Sequence, residues 1–227
     1  GVAAQGYLVA DGDRLLVPTG RAVPAVFGRI QGEFRSFPLQ VFGRLGGADV
    51  VAFDEGYFNQ GLVFSGAKDV KPQPLGAQLA LHPDFVVSSH GDRLTVRDRR
   101  KLWGTVSSVD RKGNKGFTQA PGEPLWTIKL PHDGEAALAI AGDKVIVGGR
   151  DRVSLVDLMS QRVVWTESVD GAARGLAVAR GRLYISTEKG VLSCFASGQA
   201  ARSSVTTLSA PLPTADSGGE WVAAAEE

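Results

Sequence analysis

The stretch LAIAGDKVIVGGRDRVSLVDL, residues 138–158, lies over LAVARGRLYISTEKGVLSCFA, residues 176–196, without a gap. Leu138 meets Leu176, Val145 meets Leu183, Val147 meets Ile185 and Val153 meets Val191, each pair 38 positions apart. Chance rarely keeps register across three apolar bursts, so the two stretches read as copies of one unit. Within the first copy the bursts are short and rich in Val, Leu and Ile, and glycine-containing turns separate them. That pattern predicts strands over 136–141, 144–148, 152–158 and 162–168. Gly142-Asp143 and Lys189-Gly190 supply the positive φ that tight hairpin turns need.

Weaker copies lie upstream. In VADGDRLLVPTG (9–20), Gly12-Asp13-Arg14 falls on Gly142-Asp143-Lys144, and Leu15-Leu16-Val17 on Val145-Ile146-Val147. In ALHPDFVVSSHGDRLTVRD (80–98), Leu94-Thr95-Val96 answers Val153-Ser154-Leu155, and Asp98 answers Asp157. GADVVAFDEGYFNQGLVFSG (47–66) has the same strand-turn-strand rhythm but aligns poorly. A hairpin as short as 182–195 cannot bury its apolar face alone. Four antiparallel strands repeating at 38 residues match the blade of a β-propeller, whose repeats run to roughly 40–50 residues. The expected fold is therefore all-β: about five blades or part-blades, each covering the apolar face of the next, in a ring left incomplete. Trp126 and Trp165 end the last strands of two successive units, each just before a turn-rich hinge. There an aromatic wedged between blades would bury roughly 150–250 Å².

Composition agrees and excludes several classes. Of 227 residues 43% are hydrophobic and 22% charged, and 29 are glycine, as a turn-rich globular chain requires. A net charge of +1 offers no general attraction to nucleic acid or acidic lipid. No window approaches the roughly 18 apolar residues that span a bilayer. The start, GVAAQGYLVADG, lacks the basic n-region and apolar core of a signal peptide. Cys194, the lone cysteine, sits among apolar neighbours and is expected to be a buried, inert thiol.

The segment RVSLVDLMSQRVVWTESVDGAARGLAVARGRLYISTEKGVLSCF (152–195) resembles the repeat of pyrroloquinoline-quinone-like (PQQ-like) propellers. This is the quinoprotein alcohol dehydrogenase-like group that includes BamB-type outer-membrane assembly proteins. Its repeat reads approximately D-x-x-T-G-x-x-x-W. Asp157 and Trp165 keep the ends of that motif, while LMSQRVV replaces the Thr-Gly tip. At the first copy, FGRIQGEF keeps Gly32 but has Phe27 for the aspartate and no tryptophan. The resemblance covers most of 5–200 and is specific over 131–196. It is close to large bacterial multidomain proteins in which the propeller precedes a methyltransferase. It implies seven or eight blades in a closed ring, with blades upstream of Gly1 or supplied by another copy. It also implies a periplasmic or cell-envelope location. On this reading residues 1–208 are a partial propeller. Residues 209–227, whose EWVAAAEE leans helical, are a linker or the start of a further domain.

Chemistry-bearing motifs are sparse. A quinone dehydrogenase of this family combines an indole platform, a calcium ion held by carboxylate and amide oxygens, and a catalytic aspartate. Here Asp13, Asp84, Asp92 and Asp143 fall in turns, and no calcium-loop spacing appears. His82, His90 and His132 lie far apart, without metal-ligand spacing, and read as surface-loop histidines. SSHGD (88–92) is a hairpin turn, because a catalytic triad is assembled from distant segments. RKGNKG (111–116) follows no phosphate-loop strand. The leading expectation is a non-catalytic propeller that binds or scaffolds a protein partner, with no catalytic, cofactor or metal residues of its own. The candidate contacts lie on the insertion at 99–123: Arg99, Arg100, Lys101, Trp103, Arg111, Lys112 and Lys115. Trp103 stands out because it falls outside the repeat. The alternatives are a PQQ- and calcium-dependent oxidoreductase whose cofactor site lies mostly elsewhere, or a domain that positions a C-terminal methyltransferase.

Overall fold

In the computed structural model, which describes residues 2–37, 45–53, 56–65, 71–109 and 112–196, the chain runs through successive antiparallel sheets. The first blade is β1 (Val9–Asp11), β2 (Arg14–Val17), β3 (Ala25–Gly28) and β4 (Phe34–Ser36), paired in chain order. The second is β5 (Val50–Phe53), β6 (Gly56–Asn59), β7 (Leu62–Phe64) and β8 (Gln73–Pro74). The stretch that aligned poorly, 47–66, thus supplies three strands of a four-stranded sheet. The third blade is β9 (Gln78–Leu81), β10 (Phe85–His90), β11 (Arg93–Asp98) and β14 (Trp126–Lys129). Between its last two strands stand a 3₁₀ turn at Arg99–Lys101 and a separate hairpin, β12 (Trp103–Val109) with β13 (Lys115–Pro121). The fourth blade is β15 (Ala137–Ala141), β16 (Lys144–Gly148), β17 (Arg150–Asp157) and the first half of β18 (Arg162–Ala179). The second half of β18, with β19 (Arg182–Thr187) and β20 (Leu192–Ala196), makes the fifth. The arrangement is an all-β array of propeller blades. The helical leaning of EWVAAAEE and the 209–227 linker lie outside the described residues.

The two aligned copies keep one register. Leu138 pairs with Val147 and Ile140 with Val145; 38 residues on, Leu176 pairs with Ile185 and Val178 with Leu183. The gapless alignment fails after the next turn. Gly149 N–H donates to Arg152 O, whereas Thr187 N–H donates to Val191 O, 39 residues beyond Arg152. The turn at Glu188–Gly190 holds one extra residue, so the structural counterpart of Val153 is Leu192, not Val191.

Successive side chains of a strand face opposite ways, and in the third and fourth blades both faces are covered. Each of these blades has a trailing face against the blade before it and a leading face toward the blade after it. Val145, Val147 and Val156 trail, packing with Val87, Leu94 and Val96 of the third blade. Ile146 and Val153 lead, packing with Ala173 and Ile185 of the fifth. Uninterrupted apolar runs such as Val145-Ile146-Val147 follow from this two-sided burial, as in other sheets covered on both faces. In the third blade Val86 joins Phe53, Phe58 and Val63 of the second, while its neighbour Val87 turns to the fourth.

Both tryptophans sit between blades. Trp126 packs on the cluster joining blades three and four. Trp165 packs on the one joining four and five, 5.1 Å from the ring of Phe195. Trp165 reaches its place through a bulge: Leu155 pairs with Trp165 but Val156 with Val163, leaving Val164 unpaired and exposed. Without the extra residue Trp165 would share the trailing face of Val163. The expected hinge after Trp165 is instead one continuous strand, β18, bent at Gly171 with φ 97°.

Candidate functional site

The hairpin β12–β13 is the element that the blade pattern does not require, and the chain builds its base carefully. Asp98 caps the 3₁₀ turn, its carboxylate accepting from Arg100 N–H at 2.9 Å, and Leu102 behind it is buried. The returning strand is tied down by Gly122 N–H to Leu102 O at 2.7 Å and Leu125 N–H to Val96 O at 2.8 Å. Half-buried Arg97 donates from Nε to Gly122 O at 3.0 Å, and burial lowers its pKa. A Cβ on Gly122 would stand 2.3 Å from Lys101 O, so only glycine fits there.

Above this base the ladder runs from Trp103 opposite Pro121 to Val109 opposite Lys115, with Ser107 opposite Phe117. Trp103, Gln119, Phe117 and Val109 therefore share one face. The lower part of that face is occupied. Trp103 packs on the cluster of Phe53, Phe58, Leu79 and Leu102, and Ser65 Oγ donates to Gln119 Oε1 at 3.5 Å. Its upper part meets solvent: Phe117 is 81% and Val109 66% exposed, and Val106 on the opposite face is 41% exposed. The sequence reading missed Phe117 and Val109. The available signal was strand-like alternation over 103–109 and 115–121, with a phenylalanine where an exposed loop would carry polar residues.

The basic candidates divide into two groups. At the base, Arg99 donates its backbone N–H to Asp84 O at 2.9 Å and its guanidinium to His82 O at 3.3 Å. The Arg100 guanidinium lies 3.6 Å from the Asp84 carboxylate, and Lys101 is exposed. At the tip, Lys112 and Lys115 are exposed beside Val109 and Phe117. Arg111 lies outside the described residues. Trp103 stands outside the repeat, as the sequence suggested, and its ring packs on the blade cluster.

Other expectations are corrected. Cys194 is exposed, not buried. His132 is no simple surface histidine: its Nε2 lies 2.8 Å from Ser154 Oγ, and Ser154 Oγ lies 2.9 Å from Thr166 Oγ1. Ser154 is fully buried and its hydroxyl is held on both sides, so this chain of contacts joins loop to blade and offers no nucleophile. A shallow cleft of about 420 Å³ lies between Gln60–Leu62, Pro74–Ala77, His90 and Glu135, with a mainly apolar lining. Among the described residues no group of three or more His, Cys, Asp or Glu side chains gathers as a metal site. No helix of the described residues is long and apolar enough to cross a membrane.

Repeated four-stranded sheets, packed leading face to trailing face, define a β-propeller-type chain. No family model matches the sequence, and no curated protein matches it. Solved structures do. BamB from Moraxella catarrhalis aligns with a TM-score of 0.54 and 17% identity, over 85% of this chain and 59% of that one. The C-terminal WD40 domain of Sif2 aligns with the same score and identity, over 86% of this chain and 54% of that one. The Pan2 WD40 domain of Neurospora crassa gives 0.52 at 8% identity, over 85% of this chain and 60% of that one. The chain thus spans somewhat over half the length of these propellers. The likeness is one of fold, and it is as strong to WD40-type as to BamB-type blades.

Proposed function

We propose that this chain is a non-catalytic propeller module that holds a protein partner through the hairpin of its third blade. The observation that carries this reading is the pair Phe117 and Val109: apolar, exposed, on one face, at the far end of a hairpin that the four-stranded blade pattern does not require. Large side chains brought into water on a hairpin anchored at its base have the character of binding anchors, and Lys112 and Lys115 around them favour a partner surface with acidic groups at its rim. The likeness to BamB and to WD40 domains is compatible with this use of the fold and does not name the partner.

The test is a photo-crosslinking phenylalanine analogue at position 117 of the full chain, in cells that express it. One discrete protein adduct, weakened by Val109→Asp, is the expected result. No adduct at 117, or one indifferent to Val109→Asp, overturns the reading. The non-catalytic part has its own test: a bound quinone chromophore after addition of PQQ and Ca²⁺ would overturn it.

A further inference from the structure

The hairpin of the third blade has two long edges, and they are built differently. Gly122 N–H donates to Leu102 O, so Leu102 and Gly122 form a hydrogen-bonded pair just below the ladder. Such pairs alternate along an antiparallel ribbon. Gly104 with Ala120, Val106 with Thr118 and Ser108 with Gly116 therefore exchange the bonds that join β12 to β13. The N–H and C=O groups of Thr105, Ser107 and Val109 point outward from β12, and those of Lys115, Phe117 and Gln119 point outward from β13. The sheet has only these two strands, and among the described residues no backbone group stands across from either edge.

The β13 edge carries devices that keep a free edge from pairing. Pro121 has no N–H to offer, Lys115 puts a charge near the tip, and the Gln119 side chain is half-buried where it meets Ser65. The β12 edge carries none of them. Trp103–Val109 contains no charge and no proline, and its register with β13 is unbroken. Thr105, Val106 and Ser107 are all exposed. This opening is not an end of the array, because the third blade is covered on both faces by the second and the fourth. A two-stranded ribbon gains most from a third strand.

The residues around the edge define what fits it. In an added strand, the residue opposite Ser107 would share the face of Ser107, Val109 and Phe117. Ser107 is small, so an apolar side chain at that place can lie over it toward the Phe117 ring. Both ends of the edge are basic: Lys101 is exposed just before β12, and Lys112 and Lys115 are exposed at the tip. Two β12 edges paired with each other would bring like charges together in either direction. A segment with carboxylates at its ends matches them.

We propose that β12 receives, as a third strand of the hairpin, an extended segment of a partner protein with alternating apolar residues and acidic flanks. This rests on the hairpin being the partner's seat and adds how the partner is held. Main-chain bonds along Thr105 and Ser107 supply affinity, and the Phe117 face selects the side chains.

The experiment keeps the full chain, with the photo-crosslinking analogue at position 117. Ser107→Pro removes one outward N–H and no bond of the ladder, so its urea midpoint should stay near the parent's. It should cut the adduct yield by about tenfold, while Ser107→Ala should leave the yield unchanged. The second measurement is amide hydrogen exchange on the parent, with a synthetic peptide of the segment captured in the adduct. The Thr105 and Ser107 amides should slow by about tenfold, while those of Val106 and Ser108, already bonded to β13, should change little. An adduct indifferent to Ser107→Pro, or Thr105 and Ser107 amides that exchange as before, overturns strand addition and leaves the hairpin as the seat of a partner held another way. Slowing that appears with the chain alone as its concentration rises overturns it in favour of a second copy. No adduct at 117 removes the seat itself, and strand addition with it.

Discussion

Asp157 and Gln161 bracket the turn between β17 and β18 and divide its work. The Asp157 carboxylate accepts from Lys144 Nζ and from Ser160 N–H, both at 2.6 Å. The Lys144 hydrogen bond first, and the Ser160 contacts next, hold that carboxyl far below the usual carboxylate range. A carboxyl depressed on folding stabilises the fold above its unfolded value, near pH 4, and loses that contribution as pH falls toward the folded value. Asp157→Asn should therefore lower the urea midpoint at pH 7, and the gap from the parent should narrow at pH 3; an unchanged gap would show that the charge does nothing. Gln161 sits at φ 58°, the glycine position of the D-x-x-T-G motif. Gln161→Gly should stabilise by about 1 kcal/mol, read as a Tm rise of roughly 2–4 °C. Conversely, Gly142 holds φ 60° with open space around it, so Gly142→Ala should cost about 1 kcal/mol through backbone conformation alone. These turn residues were legible in the sequence because their chemistry is local. Cys194 was not, because the apolar neighbours that suggested burial share its strand, and what buries a blade residue is the blade opposite.

Among the elements, strand identity followed from the apolar bursts. The expected strand at 144–148 is β16 residue for residue, and those at 136–141 and 152–158 differ from β15 and β17 by one or two residues at an end. Two features did not follow. The bulge at Val164 re-aims Trp165, and the extra residue in the Glu188–Gly190 turn shifts β20; a pattern of apolar spacing cannot register either, since both depend on which partner residue is left unpaired. The insertion at 99–123 forms a hairpin because Trp103 and Leu102 anchor one leg and Gly122 lets the other return close beneath. Packing and display should separate cleanly in mutants. Leu94→Ala, fully buried between blades three and four, should cost about 2–5 kcal/mol in chemical denaturation. Phe117→Ala should fall within about 0.5 kcal/mol of the parent while losing the crosslinked partner. A large destabilisation by Phe117→Ala would mean that its ring serves the fold.

For the whole molecule, the propeller architecture was legible because a repeat multiplies a weak local signal. Finer kinship was not: at 17% identity the blades align equally well with BamB and with a WD40 domain. The candidate site was legible as a region and not as residues, since exposure of Phe117 is a property of the folded hairpin. The continuous strand Arg162–Ala179 adds a further consequence. Blades four and five hold opposite halves of one strand, so no flexible tether separates them. A backbone cut at Gly113, in the hairpin tip, would leave every blade sheet intact, and the chain nicked there should stay folded. The same cut at Asp170 would sever a strand that two sheets share, and the severed halves should refold only as a noncovalent pair.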